Sequence, residues 1–141
     1  LLDAQYKNGG WAQKYPEPTG YHQHVTFNDG AMTGALEVLD AVAKNEKDFS
    51  FVPDTIRLRC GKAVENGTEF ILRSQVRIKG RLTVWCAQHD RKTLLPARAR
   101  SYELPSLSGS ESVGIVRFLM SIEKPDALPS KAQSPGSRAL N

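Results

Sequence analysis

The run from Pro53 to Ile71 constrains this chain most. Apolar or small residues recur at Ile56, Cys60, Ala63/Val64, Gly67 and Phe70/Ile71, the spacing of one helical face, and the arginines fall off that stripe. Pro53 suits the opening of such a helix, where its missing N–H costs nothing. A second helix is predicted upstream. Met32, Ala35/Leu36, Leu39 and Val42/Ala43 keep the same spacing to about Asn45, and Asn28-Asp29 reads as its N-cap. A third begins at Ser108-Gly109-Ser110-Glu111-Ser112, with Glu111 placed to meet the helix dipole; its apolar residues are Val113, Val116, Leu119 and Met120. Leu1 to Tyr6 reads as the last turns of another helix, stopped by Asn8-Gly9-Gly10.

The segments between are long. Gly9 to Thr26 carries Pro16, Pro18, Gly20, Trp11, Tyr15 and Tyr21, and loops this aromatic are packed or functional. Val76 to Trp85 alternates around Gly80, which predicts a short β-hairpin. Ala87 to Pro105 is polar, rich in Arg and long enough to point to function. With 141 residues and 40% apolar content there is material for one core and not two. No apolar run approaches the roughly 18–20 residues of a membrane helix. These features predict an all-α scaffold whose loops gather at one end to make a site. After Pro125 periodicity and aromatics vanish, so residues 126–141 are expected to be a disordered or non-native tail behind a domain at 1–125.

A net charge of +4 hides a sharper partition. Residues 57–100 hold eleven Lys and Arg against three acids, whereas residues 1–56 hold four Lys against eight acids. The basic block points to a polyanionic partner, an acidic polysaccharide or a nucleic acid. In the bland alternative, half of these cations simply solvate helix faces. Aromatics beside Arg suit sugar rings and single-stranded nucleic acid alike.

Metal and nucleophile signals are weak. Cys60 and Cys86 match no zinc spacing; they form one disulfide, or Cys60 is a buried helix residue, the preferred reading. His22, His24 and His89 more readily serve backbone carbonyls than zinc, and Ser108-Gly109-Ser110 lacks the frame of a nucleophile elbow. Asp29, at a helix start, is either a cap or a ligand for a hard cation such as Ca²⁺. Asp90 is either the second such ligand or an ion-pair partner of Arg91 or Lys92.

Four phrases carry a resemblance. They are Ala4-Gln5-Tyr6-Lys7-Asn8-Gly9-Gly10-Trp11-Ala12-Gln13-Lys14-Tyr15-Pro16 and His24-Val25-Thr26-Phe27-Asn28-Asp29-Gly30-Ala31-Met32, then Gly80-Arg81-Leu82-Thr83-Val84-Trp85-Cys86-Ala87-Gln88-His89-Asp90 and Ala99-Arg100-Ser101-Tyr102-Glu103-Leu104-Pro105-Ser106-Leu107-Ser108-Gly109-Ser110-Glu111-Ser112. In this order, over residues 1 to about 125, the chain resembles the pectate lyases of polysaccharide lyase family ten. The resemblance implies an (α/α) barrel or toroid, incomplete here, with its site in a cleft between loops. It also implies a secreted, monomeric enzyme, free of any membrane, that cleaves polygalacturonate by Ca²⁺-assisted β-elimination and leaves 4,5-unsaturated products.

By the same resemblance, Asp29 belongs to the Ca²⁺-dependent catalytic centre, with Asp90 as a second metal ligand. Arg100 binds a galacturonate carboxylate, Glu103 orients it or a metal-bound water, Asn28 and Tyr102 lie in or behind the cleft, and Trp11 supports its wall. The family's catalytic base is an arginine in a later part of the sequence, which Asp126-Ala127-Leu128-Pro129-Ser130-Lys131 does not resemble. A fragment with little or no activity is therefore expected. The alternatives are a catalytically dead pectin-binding protein and, less favoured, a basic module for single-stranded nucleic acid.

Overall fold

The computed structural model describes residues 1–122, so the expected boundary at 125 and the tail at 126–141 lie outside the described residues. Three helices form where the apolar spacing requires them: α1 Ala31–Ala43, α2 Asp54–Ser74 and α3 Gly109–Ser121. α1 packs on α2. The facing stripes are Met32, Leu36, Leu39 and Val42 against Cys60, Ala63, Val64, Gly67, Phe70 and Ile71. Phe27 and Phe70 stand 6.2 Å apart between ring centroids, tilted at 50°. Each is almost fully buried, which contributes about 1.5–3 kcal/mol per side chain.

The expected all-α toroid is not what the described residues form. They contain two small antiparallel sheets beside the helices, and no ring of helices closes among them. The loops between helices satisfy their backbone donors by pairing with one another, which makes short strands. β1 Val25–Thr26 pairs with β4 Gln88–His89, with Val25 opposite His89 and Thr26 opposite Gln88. β2 Arg77–Ile78 and β3 Arg81–Leu82 form a hairpin whose turn, Lys79-Gly80, has positive φ at both positions, the backbone of a tight two-residue connection.

Two further expectations change. Leu1 to Tyr6 is not a helix end but a single 3₁₀ turn at Leu2–Ala4, after which Gln5 bridges to Trp11. The Asn8-Gly9-Gly10 turn closes through Tyr6 N–H donating to Gly10 O and Gly10 N–H donating to Asn8 Oδ1. Gly9, at φ 95°, lies so close to α2 that a Cβ there would stand 2.0 Å from Asn66 O. Close approach to α2, rather than helix termination, is what this glycine provides.

The inward face of α3 shares only Leu119 with the one predicted. Ser112, Ile115 and Phe118 are buried, whereas Val113, Val116 and Met120 are exposed. The helix is apolar on two sides, so spacing alone cannot choose between them. A hydrogen bond chooses: Trp85 N–H donates to Ser112 Oγ at 3.1 Å, while Ser108 N–H donates to Trp85 O at 2.8 Å. The Trp85 indole N–H in turn donates to Ile71 O at 2.7 Å, tying α3 to α2 through one buried side chain.

Gly9→Ala should therefore lower stability by about 2–3 kcal/mol, since it adds a backbone clash to a left-handed φ. Urea unfolding measures this, and an unchanged midpoint would contradict the close packing of this turn on α2.

Candidate functional site

The link between β1 and β4 extends by one carbonyl. Ala87 O accepts the N–H groups of both Phe27 and Asn28, at 2.8 and 3.1 Å. Asn28 thereby comes to rest beside Gln88, and both line a cleft of about 380 Å³ with Cys86, Tyr102, Glu103 and Ser106. The second wall is the loop after β4. It is held by Ala97 N–H donating to Gln88 O, by Ala99 N–H donating to Glu103 O and by Glu103 N–H donating to Arg100 O.

Asn28 and Asp29 do not cap α1. Asn28–Gly30 is a 3₁₀ turn in which Asp29 adopts φ 54° and ψ 25°, followed by Gly30 at φ 70°. Gly30 accepts that region freely, but a residue with a Cβ does so at a cost of about 1 kcal/mol. Such strain persists where the surrounding structure imposes it, and it concentrates at functional sites. The result is an exposed carboxylate that accepts from the amide of its neighbour, Asn28 Nδ2 donating to Asp29 Oδ2 at 3.0 Å. No cation pairs with Asp29 among the described residues.

Asp90 is the opposite case. Its Oδ1 accepts the N–H groups of Lys92 and Thr93, each at 2.8 Å, and the Thr93 hydroxyl at 3.1 Å. Its Oδ2 stands 3.6 Å from His24 Nδ1. The backbone bonds from Thr93 and then Lys92 hold this carboxyl below its ordinary range. It closes the turn after β4 and does not line the cleft.

Arg100 and Glu103 form a two-point pair: Nε to Oε2 at 2.9 Å and Nη2 to Oε1 at 2.5 Å, with the Arg100 N–H also donating to Oε2 at 3.0 Å. The side-chain bond from Arg100 holds the Glu103 carboxyl at about 2, and the same bond raises the guanidinium further. Arg100 also lies over the exposed Tyr102 ring, 5.0 Å from its centroid. A fixed guanidinium beside an open aromatic face suits a ring that carries a carboxylate. It does not suit proton abstraction, because the neutral form becomes still scarcer.

Trp11 is a core residue, 5% exposed, and its indole N–H donates to Leu1 O at 3.0 Å. Both cysteines are free and buried, Cys60 inside α2 and Cys86 at the cleft. Four cations of the basic block lie along α2, and the acids they meet are Asp54, Asp3, Glu65 and Glu69 for Arg57, Arg59, Lys62 and Arg73. They solvate a helix face, and the block is not one patch. The sequence reading missed Gln88, Cys86 and Ser106 as cleft residues, although all three fall within the quoted phrases.

For a hard cation, the described residues offer a partial shell. No three His, Cys, Asp or Glu side chains converge among them. Asn28 lines the cleft and Asp29 adjoins it in the chain without lining it; together they offer one amide oxygen and one carboxylate, against the six to eight oxygens that Ca²⁺ takes. They fit Ca²⁺ only in company with a ligand that brings carboxylates of its own.

His89 anchors the wall of the site. Fully buried, it donates from Nδ1 to Leu94 O at 2.8 Å and accepts Cys86 N–H at Nε2 at 3.2 Å, which requires the neutral ring. Burial lowers its pKa below the ordinary value. The unfolded chain thus takes up a proton first as pH falls. The stability His89 contributes is complete above about pH 6.5 and is lost below it, towards the folded value. Asp90 and Glu103, both lowered, keep their contributions to more acidic pH and lose them last. Between pH 7 and 5 the unfolding free energy should fall, and His89→Gln should flatten that slope while weakening the fold at pH 7. Equal slopes for the two proteins in urea titrations would contradict this role.

Residues 1–135 match the family described as pectic acid lyase. No curated protein matches the chain significantly. Two solved structures are similar, both of a family 10 polysaccharide lyase from Cellvibrio cellulosa. The first is 48% identical with a TM-score of 0.84, and the match covers 86% of this chain and 38% of that one. The second, an Asp-to-Ala mutant in complex with trigalacturonic acid, is 47% identical with a TM-score of 0.84, covering 87% of this chain and 39% of the other. The chain thus spans about two fifths of the proteins it resembles. With nearly its whole length matched, the chain belongs to the pectic acid lyases, polysaccharide lyase family 10.

Proposed function

We propose that the cleft between Asn28-Asp29 and Tyr102-Glu103 binds polygalacturonate, as part of a pectate lyase that acts on this polymer outside the cell. One observation carries the reading: Asp29, exposed and without a cation partner among the described residues, directly follows Asn28 of the cleft, whose other wall holds Tyr102 and Glu103 with Arg100 stacked on Tyr102. The mutant relative, 47% identical, is in complex with trigalacturonic acid, a short form of the same polymer.

The chemistry follows from the substrate. The C5–H of a galacturonate is acidified by the neighbouring carboxylate, but only weakly while that carboxylate is negative. β-Elimination breaks C5–H and the C4–O4 bond to the next sugar, forms C4=C5, and leaves the electron pair on O4. Charge builds on the carboxylate side on the way, so positive groups there lower the barrier. Arg100 supplies one, pre-oriented by Glu103 and stacked on Tyr102. Ca²⁺ would supply another by neutralising a uronate carboxylate, held by Asp29 with the Asn28 amide oxygen and carboxylates of the polymer. Asp90 acts at a remove, through the turn that follows β4.

The group that removes the C5 proton lies outside the described cleft. Arg100 and Glu103 are locked to each other, and Arg100 is held in its charged form. The described cleft is therefore expected to bind without efficient turnover.

The 141-residue chain should bind trigalacturonate in Ca²⁺, and lose at least about tenfold in affinity when Ca²⁺ is chelated or Asp29 is replaced by Asn. Little or no ultraviolet absorbance of unsaturated uronate should develop. Affinity indifferent to both chelator and Asp29→Asn would overturn the Asp29 assignment, and rapid growth of the absorbance would overturn the missing base.

A further inference from the structure

We propose that Gln88 is a ligand-binding residue of the cleft, one that reads a free ring hydroxyl of the bound uronate and so selects polymer unacetylated at O2 and O3. The inference rests on the oligogalacturonate reading above and deepens it. Gln88 lines the cleft, yet its side chain is only 5% exposed and, among the described residues, no donor reaches its buried Oε1. A buried acceptor without a donor is costly, and native structures keep few of them. Gln88 is not misplaced by a loose loop. Its backbone sits in register opposite Thr26, and its carbonyl accepts Ala97 N–H at 3.0 Å. Thr26 Oγ1, on the paired residue, is likewise buried and unpartnered. Two orphaned oxygens thus occur on one ladder pair, beside Asn28.

The chemistry of this part of the cleft decides what it takes. The polar lining on the Gln88 side is uncharged, Asn28, Gln88 and a Cys86 thiol that burial pushes up, whereas Glu103 and Ser106 line the cleft from the loop after β4. The charged pair, Arg100 and Glu103, belongs to the opposite loop. In a 1,4-linked galacturonan each ring offers its carboxylate on one edge and its O2–H and O3–H donors on another. A neutral wall suits the hydroxyl edge and leaves the carboxylate edge to the charged groups, and a rotation of the Gln88 side chain would bring Oε1 from its buried, donorless position to a ring hydroxyl. An ester at O2 or O3 removes the donor and leaves Gln88 Oε1 unpaired, a loss that discriminates strongly.

The test is calorimetric titration of the 141-residue chain, in Ca²⁺, with trigalacturonate and with its O2/O3-acetylated form, alongside thermal melts. Wild type should bind the free form at least about tenfold more tightly than the acetylated one. Gln88→Met, of similar shape but with no buried acceptor, should melt at or above the wild-type temperature, bind the free form about tenfold more weakly, and lose most of the discrimination. Gln88→Leu repeats the comparison on a second apolar side chain. Wild-type affinity in these variants, or a lowered melting temperature with unchanged binding, would assign Gln88 a purely structural role and overturn the proposal. Should neither variant fold, wild type decides alone: equal affinity for both forms overturns the inference and leaves the polygalacturonate reading standing. A wild-type chain that binds neither form overturns both.

Discussion

The site depends on one contact between distant parts of the chain, the Ala87 carbonyl shared by Phe27 and Asn28. It extends the β1–β4 pairing past Thr26 and so brings the Asn28-Asp29 turn beside the loop that carries Arg100, Tyr102 and Glu103. Both partners of that contact are immobilised from below. Val25 fills the space that Gly10 leaves open, Phe27 lies against Phe70 and the edge of the His89 ring, and neutral His89 clasps the two ends of the loop from Cys86 to Leu94. The α1–α2 pair is the platform, and the short strands aim the site. On the proposed reading a uronate ring would need that precision, since its charged and hydroxyl edges would meet different walls of one cleft.

The division of labour between the two candidate acids follows from hydrogen-bond saturation. Asp29 and Asp90 are equally acidic in the sequence and equally placed within family phrases. Folding gives one oxygen of Asp90 to three donors and brings the other towards His24, while Asp29 is kept exposed by a backbone conformation that favours glycine. A carboxylate already satisfied by a turn organises the loop. One that is strained and bare can meet a cation and a substrate.

Much of the platform was legible in the sequence. The stripes of α1 and α2 stand out because their apolar residues recur at helical spacing with Val38 and Leu58 as the large exceptions, and Lys79-Gly80 announces its hairpin through the turn chemistry. The α3 face was not legible, since Val113, Val116 and Met120 compete with Ile115 and Phe118, and the deciding contact is a serine hydroxyl bound to Trp85. The turn at Gly9 misled because the residues that end helices also permit close packing. The toroid expected from family resemblance was a statement about a longer assembly of helices, and the described residues instead pair their loops into sheets. Of the residues named through the family phrases, Asn28, Tyr102 and Glu103 line the cleft while Trp11, Asp29, Asp90 and Arg100 do not, and Gln88 was passed over. Its significance lies in an unpaired oxygen, which no pattern of residue types records.

The central claim is that the ledge built by Ala87 and the wall at Tyr102 together form an oligogalacturonate site. It is tested most directly by recording backbone amide spectra of the isotopically labelled chain during titration with trigalacturonate in the presence of Ca²⁺. Shifts should concentrate at residues 27–30, 86–88 and 99–106 and leave the exposed face of α2 unchanged. Shifts that spread instead along Arg57, Arg59, Lys62 and Arg73, with the cleft silent, would contradict it and return the basic block to the role of a general polyanion surface.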